Sequence, residues 1–305
     1  MLRGRDNVDG SWKSEAKRLK KLLIDSAVKT RSGVGWGYPF DWQSRTHFVE
    51  KNTPTIVTTS FVAEALLEYY QHEPSEELLV MLTRAADYIY KDVSHIRTDD
   101  GICFGYSEGD KQRVFNASLL GAAYLGKLGA MLGEEPYVNA ARDAARFVIR
   151  HQAPNGQWAY GLGSSQRWVD SFHTGYVLLS LKEIGEALLT NEFMPSIERG
   201  YNYYLSAFFR ADGLPRYFAN NDHPIDAHAA AHAVITLNTF SDRDAATHIA
   251  RWMCANMQNP DGSFMYQKHE RYTNKIAYIR WSNAWMFLAL ADHMSRDNTM
   301  SPIDA

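Results

Sequence analysis

The chain has 305 residues, of which 45% are hydrophobic and 22% charged, so it can bury the core of one large domain or two small ones and is not intrinsically disordered. Its 32 Lys and Arg nearly balance its 35 Asp and Glu, and a net charge of −3 gives no electrostatic basis for binding nucleic acid. No stretch approaches about 18 apolar residues without a charge, which excludes a membrane span.

The N-terminus and the cysteines favour a cytoplasmic location. Residues 1–6 are largely polar and have no apolar core of the kind that a secretory signal needs. Two cysteines, Cys103 and Cys254, are too few for a disulfide framework and cannot supply most of a structural zinc site. We therefore expect a protein of a reducing compartment.

Ten helices of two alternating kinds are predicted along the chain. The first kind is amphipathic, with apolar residues at steps of three and four, and should pack one face on a core. These segments are residues 14–28, 76–91, 137–151, 197–209 and 243–257. The second kind is apolar nearly all round and should be buried on most faces. These segments are residues 55–70, 116–132, 170–189, 226–240 and 280–294.

This strict alternation of outer and inner helices, with weak strand signals throughout, predicts an all-α fold. The expected architecture is an (α/α) toroid in which residues 1–305 form a single domain. A closed ring of six hairpins has two helices more than the ten predicted here. Either the first hairpin is missing or reduced, or the ring is incomplete.

A turn that pairs glycine with aromatic residues recurs about every 50 to 65 residues and marks the repeat. Each copy follows an amphipathic helix and precedes an apolar one. The turn glycines are Gly35, Gly101, Gly156, Gly213 and Gly262.

Polar residues at the starts of the inner helices are the candidate catalytic groups, because these starts should meet at one rim of the ring. Capping of the helix explains Asp170 and Asp226, each taken alone. It does not explain His173, His228 or Arg280, which lie on helices otherwise rich in Ala and Leu, where an unpaired polar group is unfavourable. The alternative is that each histidine is a hydrogen-bonded core residue.

A metal site is conceivable but not predicted. His228 and His232 are four residues apart on one helical face, with Asp226 nearby, yet no third convincing ligand follows. Motifs for binding nucleotide phosphates or dinucleotides are missing from the sequence. We therefore expect neither a metal nor a cofactor.

Aromatic residues placed in polar turns suggest a ligand with apolar faces and polar edges. A sugar ring has both, and the same side chains could also hold an isoprenoid carbocation; alternatively, they only close the end of the barrel. The predicted substrate-binding residues are Trp36, Tyr38, Trp42, Arg45, Tyr106, Asn116, Trp158, Trp168, Trp281 and Asn283.

The densest polar and aromatic cluster is residues 39–45. Asp41 could act there as an acid or base, and Arg45 could bind a carboxylate. An ion pair between the two that only shapes the loop explains them equally well.

Two turns resemble the repeat of terpenoid cyclases and protein prenyltransferases, which are α/α toroids. In both turns a glutamine precedes the glycine by four residues, and an aromatic residue follows the glycine by two: Gln152, Gly156 and Trp158, then Gln258, Gly262 and Phe264. The acidic motif of the cyclases and the zinc ligands of the prenyltransferases are missing, so their activity is not implied. The same architecture occurs in six-hairpin carbohydrate enzymes, including glycosidases, uronate lyases and sugar epimerases.

The chain from about residue 33 onward more closely resembles a bacterial and archaeal group linked to surface-polysaccharide biosynthesis. The stretches that carry this resemblance are residues 36–45, 167–176 and 278–285. Members often bear the label delta-aminolevulinic acid dehydratase, which does not fit a helical chain, because that enzyme is a β/α barrel with Schiff-base lysines. Members of the group have more sequence before the first turn than this chain has. This difference puts the closure of the ring in question.

The leading hypothesis is a carbohydrate-active protein that acts on a cell-surface polysaccharide or its precursor. Hydrolysis would use two carboxylates among Asp41, Asp170 and Asp226. Elimination or epimerisation of a uronate would instead use His173 or His228 with Tyr38, and a cation, Arg280 or Arg45, for the sugar carboxylate.

Other classes remain open. A non-catalytic glycan-binding or scaffold protein of a biosynthetic complex would keep the aromatic residues without needing Asp170 and His173. A terpenoid cyclase or prenyltransferase-like enzyme would need a wholly apolar cavity, which the polar inner rim disfavours. The sequence leaves the sugar and the oligomeric state undetermined.

Overall fold

A computed structural model describes residues 12–43 and 48–297 of the chain. Ten α-helices run through these residues: α1 Trp12–Asp25, α2 Ile56–His72, α3 Glu76–Asp87, α4 Phe115–Leu132, α5 Glu135–Arg150, α6 Ser171–Ala187, α7 Met194–Phe208, α8 Ala227–Thr239, α9 Arg243–Met257 and α10 Ala284–Asp297. Among the helices of this described part, none is long and apolar enough to cross a bilayer. The predicted ten helices are thus present, most within a few residues of the expected bounds.

Short antiparallel strands connect the helices, although strand signals in the sequence are weak. They are β1 Val28–Lys29, β2 Val34–Gly35, β3 Trp42–Gln43, β4 Phe48–Val49, β5 His95–Thr98, β6 Gly101–Phe104, β7 Ile225–Asp226, β8 Gln267–Lys268 and β9 Thr273–Asn274. The first six pair in sequence order as hairpins, and the last three form one sheet in the order β7-β8-β9. Strands this short carry no period-2 pattern, which explains why the sequence reveals them poorly.

The described chain divides into two compact units, each built from several segments. The N-terminal unit comprises residues 17–43, 48–168 and 180–200, and the C-terminal unit comprises residues 12–16, 169–179 and 201–297. The boundary falls inside three helices, α1, α6 and α7. The single domain predicted from the sequence stays a prediction.

Burial separates inner from outer helices within each unit. In the N-terminal unit α4 packs between α2 and α5, and in the C-terminal unit α8 packs against α9 and α10. Twelve of the thirteen residues of α8 are buried, against five of the fifteen residues of α9. This contrast is the predicted difference between a helix covered on most faces and one that packs along a single stripe.

Helix α10 departs from the prediction for an inner helix. It begins at Ala284 rather than Arg280, because residues Ile279–Asn283 form a wider π-helical turn ahead of it. Phe287 is 58% exposed, and no further helix follows α10 in the described part to cover that side chain. The prediction that α10 is buried on most faces is therefore wrong.

The repeated turns have a shared geometry that explains their glycines. The glycine adopts positive φ in four of the five turns, at Gly101, Gly156, Gly213 and Gly262. A residue with a Cβ is strained in this left-handed region, so glycine is required there. Gly35 in the first turn is not among the residues with positive φ; it instead lies too close to Pro54 for a Cβ.

The glutamine of the cyclase-like repeat holds the turn that follows it. The amide of Gln152 donates to the carbonyl of Gly156 at 2.9 Å, and the amide of Gln258 donates to the carbonyl of Gly262 at 3.0 Å. The four-residue spacing between glutamine and glycine therefore lets the glutamine side chain close the turn by a hydrogen bond.

Candidate functional site

The first turn of α6 holds Asp170 against His173. Oδ1 of Asp170 accepts the backbone N–H of His173 at 2.9 Å, and Oδ2 lies 2.6 Å from Nδ1 of the same histidine ring. One buried carboxylate thus caps the helix and orients the ring, as the three-residue spacing predicts. When Nδ1–H donates to Asp170, the basic lone pair of His173 lies on Nε2.

Asp226 occupies the corresponding position before α8. Its Oδ1 accepts the backbone N–H of Ala229 at 2.9 Å, and its Oδ2 accepts the Nε2–H of Gln267 at 2.8 Å. The pairing of β7 with β8 places Gln267 directly opposite Asp226. Burial raises the pKa of Asp226 to about 6, and the negative charge of Asp170 adds to this effect.

His228 is the second residue of α8, and aromatic rings surround its side chain. Its ring stacks on Trp285 with centroids 4.7 Å apart and meets the edge of Trp281 at 4.7 Å. Nε2 is 3.2 Å from the hydroxyl of Tyr176, and Nδ1 has no hydrogen-bond partner among the described residues. Burial lowers the pKa of His228 well below its usual value, and the neighbouring His232, His173 and Arg280 lower it further. The imidazole is therefore neutral at pH 7.

His232, one turn further along α8, is part of the same buried cluster. Its ring centroid is 4.0 Å from that of Tyr176, and burial lowers its pKa to about 3. A Cβ on Gly175 would stand 2.7 Å from Nδ1 of His232, so glycine leaves the space that this ring fills. No three His, Cys, Asp or Glu side chains are grouped to share a metal ion in the part of the chain that the structure describes.

The π-helical turn before α10 places Arg280 and Trp281 beside this cluster. The guanidinium of Arg280 lies 5.4 Å from the ring centroid of Trp281, a cation–π distance. Asn283 ties the turn to the preceding loop, because its Oδ1 accepts the backbone N–H of Phe264 at 2.7 Å. Asn283, predicted to bind substrate, therefore has a structural role.

The C-terminal unit thus brings together six of the predicted site residues: Asp170, His173, Asp226, His228, Arg280 and Trp281. Sequence reasoning missed Tyr176, Trp285 and Gln267. The first two follow His173 and Trp281 by three and four residues, so their helical spacing could have revealed them. Gln267 reaches Asp226 through pairing of two-residue strands, which carries no sequence signal.

Other predicted substrate-binding residues form a continuous aromatic run in the N-terminal unit. Ring centroids are 6.1 Å apart between Tyr38 and Trp42, and 6.2 Å apart between Trp42 and Tyr106. The hydroxyls of Tyr106 and Tyr160 are 2.9 Å apart, and Tyr160 stacks on Trp168 at 4.3 Å. Tyr160, a turn residue like the others, completes the run.

Trp36 and Trp158, in contrast, are core residues. Each is 2% exposed. The indole N–H of Trp36 donates to the carbonyl of Leu23, and that of Trp158 donates to the carbonyl of Val148. Their position in the turns is thus explained by packing, without a ligand.

Asp41 and Asn116 also belong to the N-terminal unit. Asp41 is exposed, and its Oδ1 accepts the backbone N–H of Lys51 at 2.8 Å, across the β3–β4 hairpin. Asn116 is buried in the first turn of α4, and its Oδ1 has no partner within the described chain. Arg45, the proposed partner of Asp41, lies outside the described residues.

The fold is shared with several solved structures, although no family model matches the chain and no curated protein matches its sequence. The cellobiose 2-epimerase of Bacillus thermoamylovorans superposes with a TM-score of 0.73 at 10% identity, over 97% of this chain and 85% of that one. The unsaturated glucuronyl hydrolase of Bacillus sp. GL1 gives 0.71 at 13%, over 98% and 83%. An α-mannanase of Bacteroides thetaiotaomicron gives 0.67 at 12%, over 97% and 82%.

At these identities the likeness shows the fold alone. It is the α/α-toroid fold, which confirms the fold class predicted from the alternation of helices.

Proposed function

We propose that the chain is a carbohydrate-active enzyme that moves a proton at a sugar carbon, as an epimerase, isomerase or uronate lyase does. The observation that supports this most is the pairing of unlike proton carriers in the C-terminal unit. His173 is oriented by Asp170 with Nε2 as its base, while burial gives Asp226 a pKa of about 6, so that it can act as an acid.

In the proposed reaction, Nε2 of His173 takes the proton from a carbon next to a carbonyl or carboxylate group. The electron pair of the broken C–H bond moves toward that group and forms an enediolate. Protonation by Asp226 at the opposite face gives the epimer. Alternatively, the electron pair expels an oxygen substituent from the next carbon, Asp226 protonates the leaving oxygen, and the product is an unsaturated sugar.

The surrounding residues suit such a charge shift. When Nε2–H of the neutral His228 donates to the hydroxyl oxygen of Tyr176, that hydroxyl can donate a hydrogen bond to developing negative charge. Arg280 can offset the charge of a uronate. Trp281 and Trp285 offer ring faces for the apolar side of a sugar.

Hydrolysis has less support from the geometry. A glycosidase needs two available carboxylates, about 5–5.5 Å apart for retention or 6.5–9.5 Å for inversion. Both oxygens of Asp170 already accept hydrogen bonds from His173, so a nucleophilic role for Asp170 would break them.

The kinds of solved protein that share this fold favour a sugar substrate, since an epimerase of cellobiose and a hydrolase of unsaturated glucuronyl groups are among them. Together with the sequence resemblance, this supports a cell-surface polysaccharide or its precursor as the substrate.

Proton transfer can be tested by exchange with solvent. The protein is incubated in D₂O with neutral and glucuronate-containing oligosaccharides, and deuterium uptake is followed by NMR. We expect His173→Ala to lower uptake by about 10²–10⁴-fold. Asp226→Asn should still take up deuterium at the carbon from which His173 removes the proton, but should form no product. His248→Ala, in outer helix α9, is the matched control.

Three results would contradict the proposal. Glycosidic cleavage with neither deuterium uptake nor an unsaturated product would indicate a hydrolase instead. Binding without uptake or cleavage would indicate the non-catalytic alternative, and undiminished uptake in His173→Ala would remove this histidine as the base.

A further inference from the structure

A cleft in the N-terminal unit lies between two loops that the proposed reaction does not use. Residues 110–113 form one wall and residues 162–166 the other, around a cavity of about 520 Å³. The backbone N–H of Leu162 donates to the carbonyl of Arg113 at 3.0 Å, and the side chains of Gln112 and Gln166 are joined at 2.7 Å. The two loops are thus fastened to each other, and the volume lies within the range of small-molecule sites, roughly 300–1,000 Å³.

The residues that line this cleft carry a net positive charge. Its one carboxylate, on Asp110, accepts the backbone N–H groups of Tyr106 at 2.7 Å and Gln112 at 3.2 Å. The negative charge of Asp110 is therefore stabilised by backbone N–H groups of the loop that carries it. Lys111 and Arg113 supply two positive charges to the same cavity.

Arg113 is arranged to receive an anion. Its Nη1 donates to the carbonyls of Asp110 at 3.2 Å and Gln112 at 2.6 Å, which fixes the guanidinium. Its Nε is buried and has no acceptor among the described residues. A buried donor without an acceptor is unfavourable, and a carboxylate that displaces the atoms covering Nε on binding would satisfy this donor with a charge-assisted bond.

We propose that this cleft binds the carboxylate of an acidic sugar residue, with Arg113 as the main anchor and Lys111 as a second positive charge. The choice of a sugar rests on the proposed function. The hydroxyls of Ser164 and Ser165 in the opposite wall can bond to sugar hydroxyls. The proposal adds a recognition site for acidic sugars and assigns no catalytic step to it.

Calorimetry with two disaccharides tests the proposal: glucuronic acid linked β-1,4 to glucose, and cellobiose as its neutral counterpart. The titrations use the His173→Ala background, so that no ligand is converted. We expect the acidic disaccharide to bind more tightly, and Arg113→Gln to weaken it by about ten- to a hundredfold. Arg113→Lys should restore part of the affinity, and Lys111→Ala should weaken binding less.

Arg167→Gln is the matched control, because Arg167 is an exposed arginine next to the cleft loop but outside the cavity lining. Unchanged affinity in both Arg113→Gln and Lys111→Ala, or equal affinity for cellobiose, would overturn the proposal. Inorganic phosphate that binds as tightly as the acidic disaccharide, with the same dependence on Arg113, would also overturn it in favour of a simple anion site. If the unmodified protein shows no deuterium uptake but the acidic disaccharide still binds through Arg113, the binding site in the cleft stands. Only the proposed reaction is then rejected.

Discussion

Asp226 experiences two opposite influences on its protonation. As the cap of α8 it accepts hydrogen bonds from Ala229 and Gln267, which favour the carboxylate. It is also 1% exposed, and burial favours the neutral acid. Burial is the larger effect, so the pKa rises to about 6. The raised pKa of Asp226, which suits an acid catalyst, therefore also makes the stability of the fold depend on pH.

We expect Asp226→Asn to stabilise the protein above pH 6 while abolishing product formation. A carboxyl whose pKa is raised on folding contributes stability below its unfolded pKa of about 3.9, and this contribution is lost as pH rises through about 6. Asparagine still caps the helix but does not ionise. Chemical unfolding at pH 4 and pH 8 should show a gain of about 1–3 kcal/mol at pH 8 only. An equal effect at both pH values would contradict the raised pKa.

The turn between an outer and an inner helix is the element that repeats most clearly. Gln152 and Gln258 close equivalent turns, but only Gln152 is also bonded to α7. Its Nε2 donates to the carbonyl of Ser196 at 2.9 Å, and its Oε1 accepts the guanidinium of Arg199 at 2.8 Å. The two glutamines form a natural pair for measuring what these additional bonds contribute.

Gln152→Ala should therefore destabilise the protein more than Gln258→Ala does. We expect a loss of about 1–3 kcal/mol for Gln152→Ala, since several partners lose their bonds, and below about 1 kcal/mol for the more exposed Gln258→Ala. Guanidinium unfolding of both variants measures the difference. Equal losses would show that the turn bond alone matters.

The helices could be predicted from the sequence because a burial pattern repeated over fifteen or more residues is a strong signal. Outer helix α9 has the predicted bounds, residues 243–257. The start of α10 could not be predicted, since the π-helical turn depends on bonds from Ser282 and Asn283 to the carbonyl of Tyr278. Likewise, helical spacing places His173 beside Asp170, whereas the contact of Gln267 with Asp226 requires knowledge of the strand pairing.

For the whole molecule, the buried groups give stability a defined dependence on pH. His228 and His232 are neutral when folded, but their pKa values return to about 6.5 on unfolding. For a group whose pKa is lowered on folding, the unfolded state takes up protons first, so stability falls as pH drops below about 6.5. Asp226 has the opposite dependence over pH 4 to 6, which partly offsets this loss.

Replacing His232 with Gln should flatten the acid side of the stability profile. The variant removes a group whose pKa is about 3 in the folded protein, so the loss between pH 6.5 and pH 4 should shrink by a few kcal/mol. Guanidinium unfolding monitored by tryptophan fluorescence at several pH values measures this. His248→Gln, at an exposed position of α9, is the matched control. A parallel shift of the whole curve in His232→Gln would mean that packing rather than titration sets the effect.

The division of the chain into interleaved segments sets an order of events during synthesis. The N-terminal unit is complete when residue 200 has left the ribosome, but residues 169–179, which belong to the C-terminal unit, are made before most of their partners. Translation of the chain from residue 180 to residue 239, the last residue of α8, takes about 3 to 12 seconds. During that interval the first turns of α6, with Asp170 and Phe172, have none of their contacts to α8. In a nascent chain, Asp170 and His173, two of the six candidate catalytic residues, therefore lack these contacts until α8 emerges.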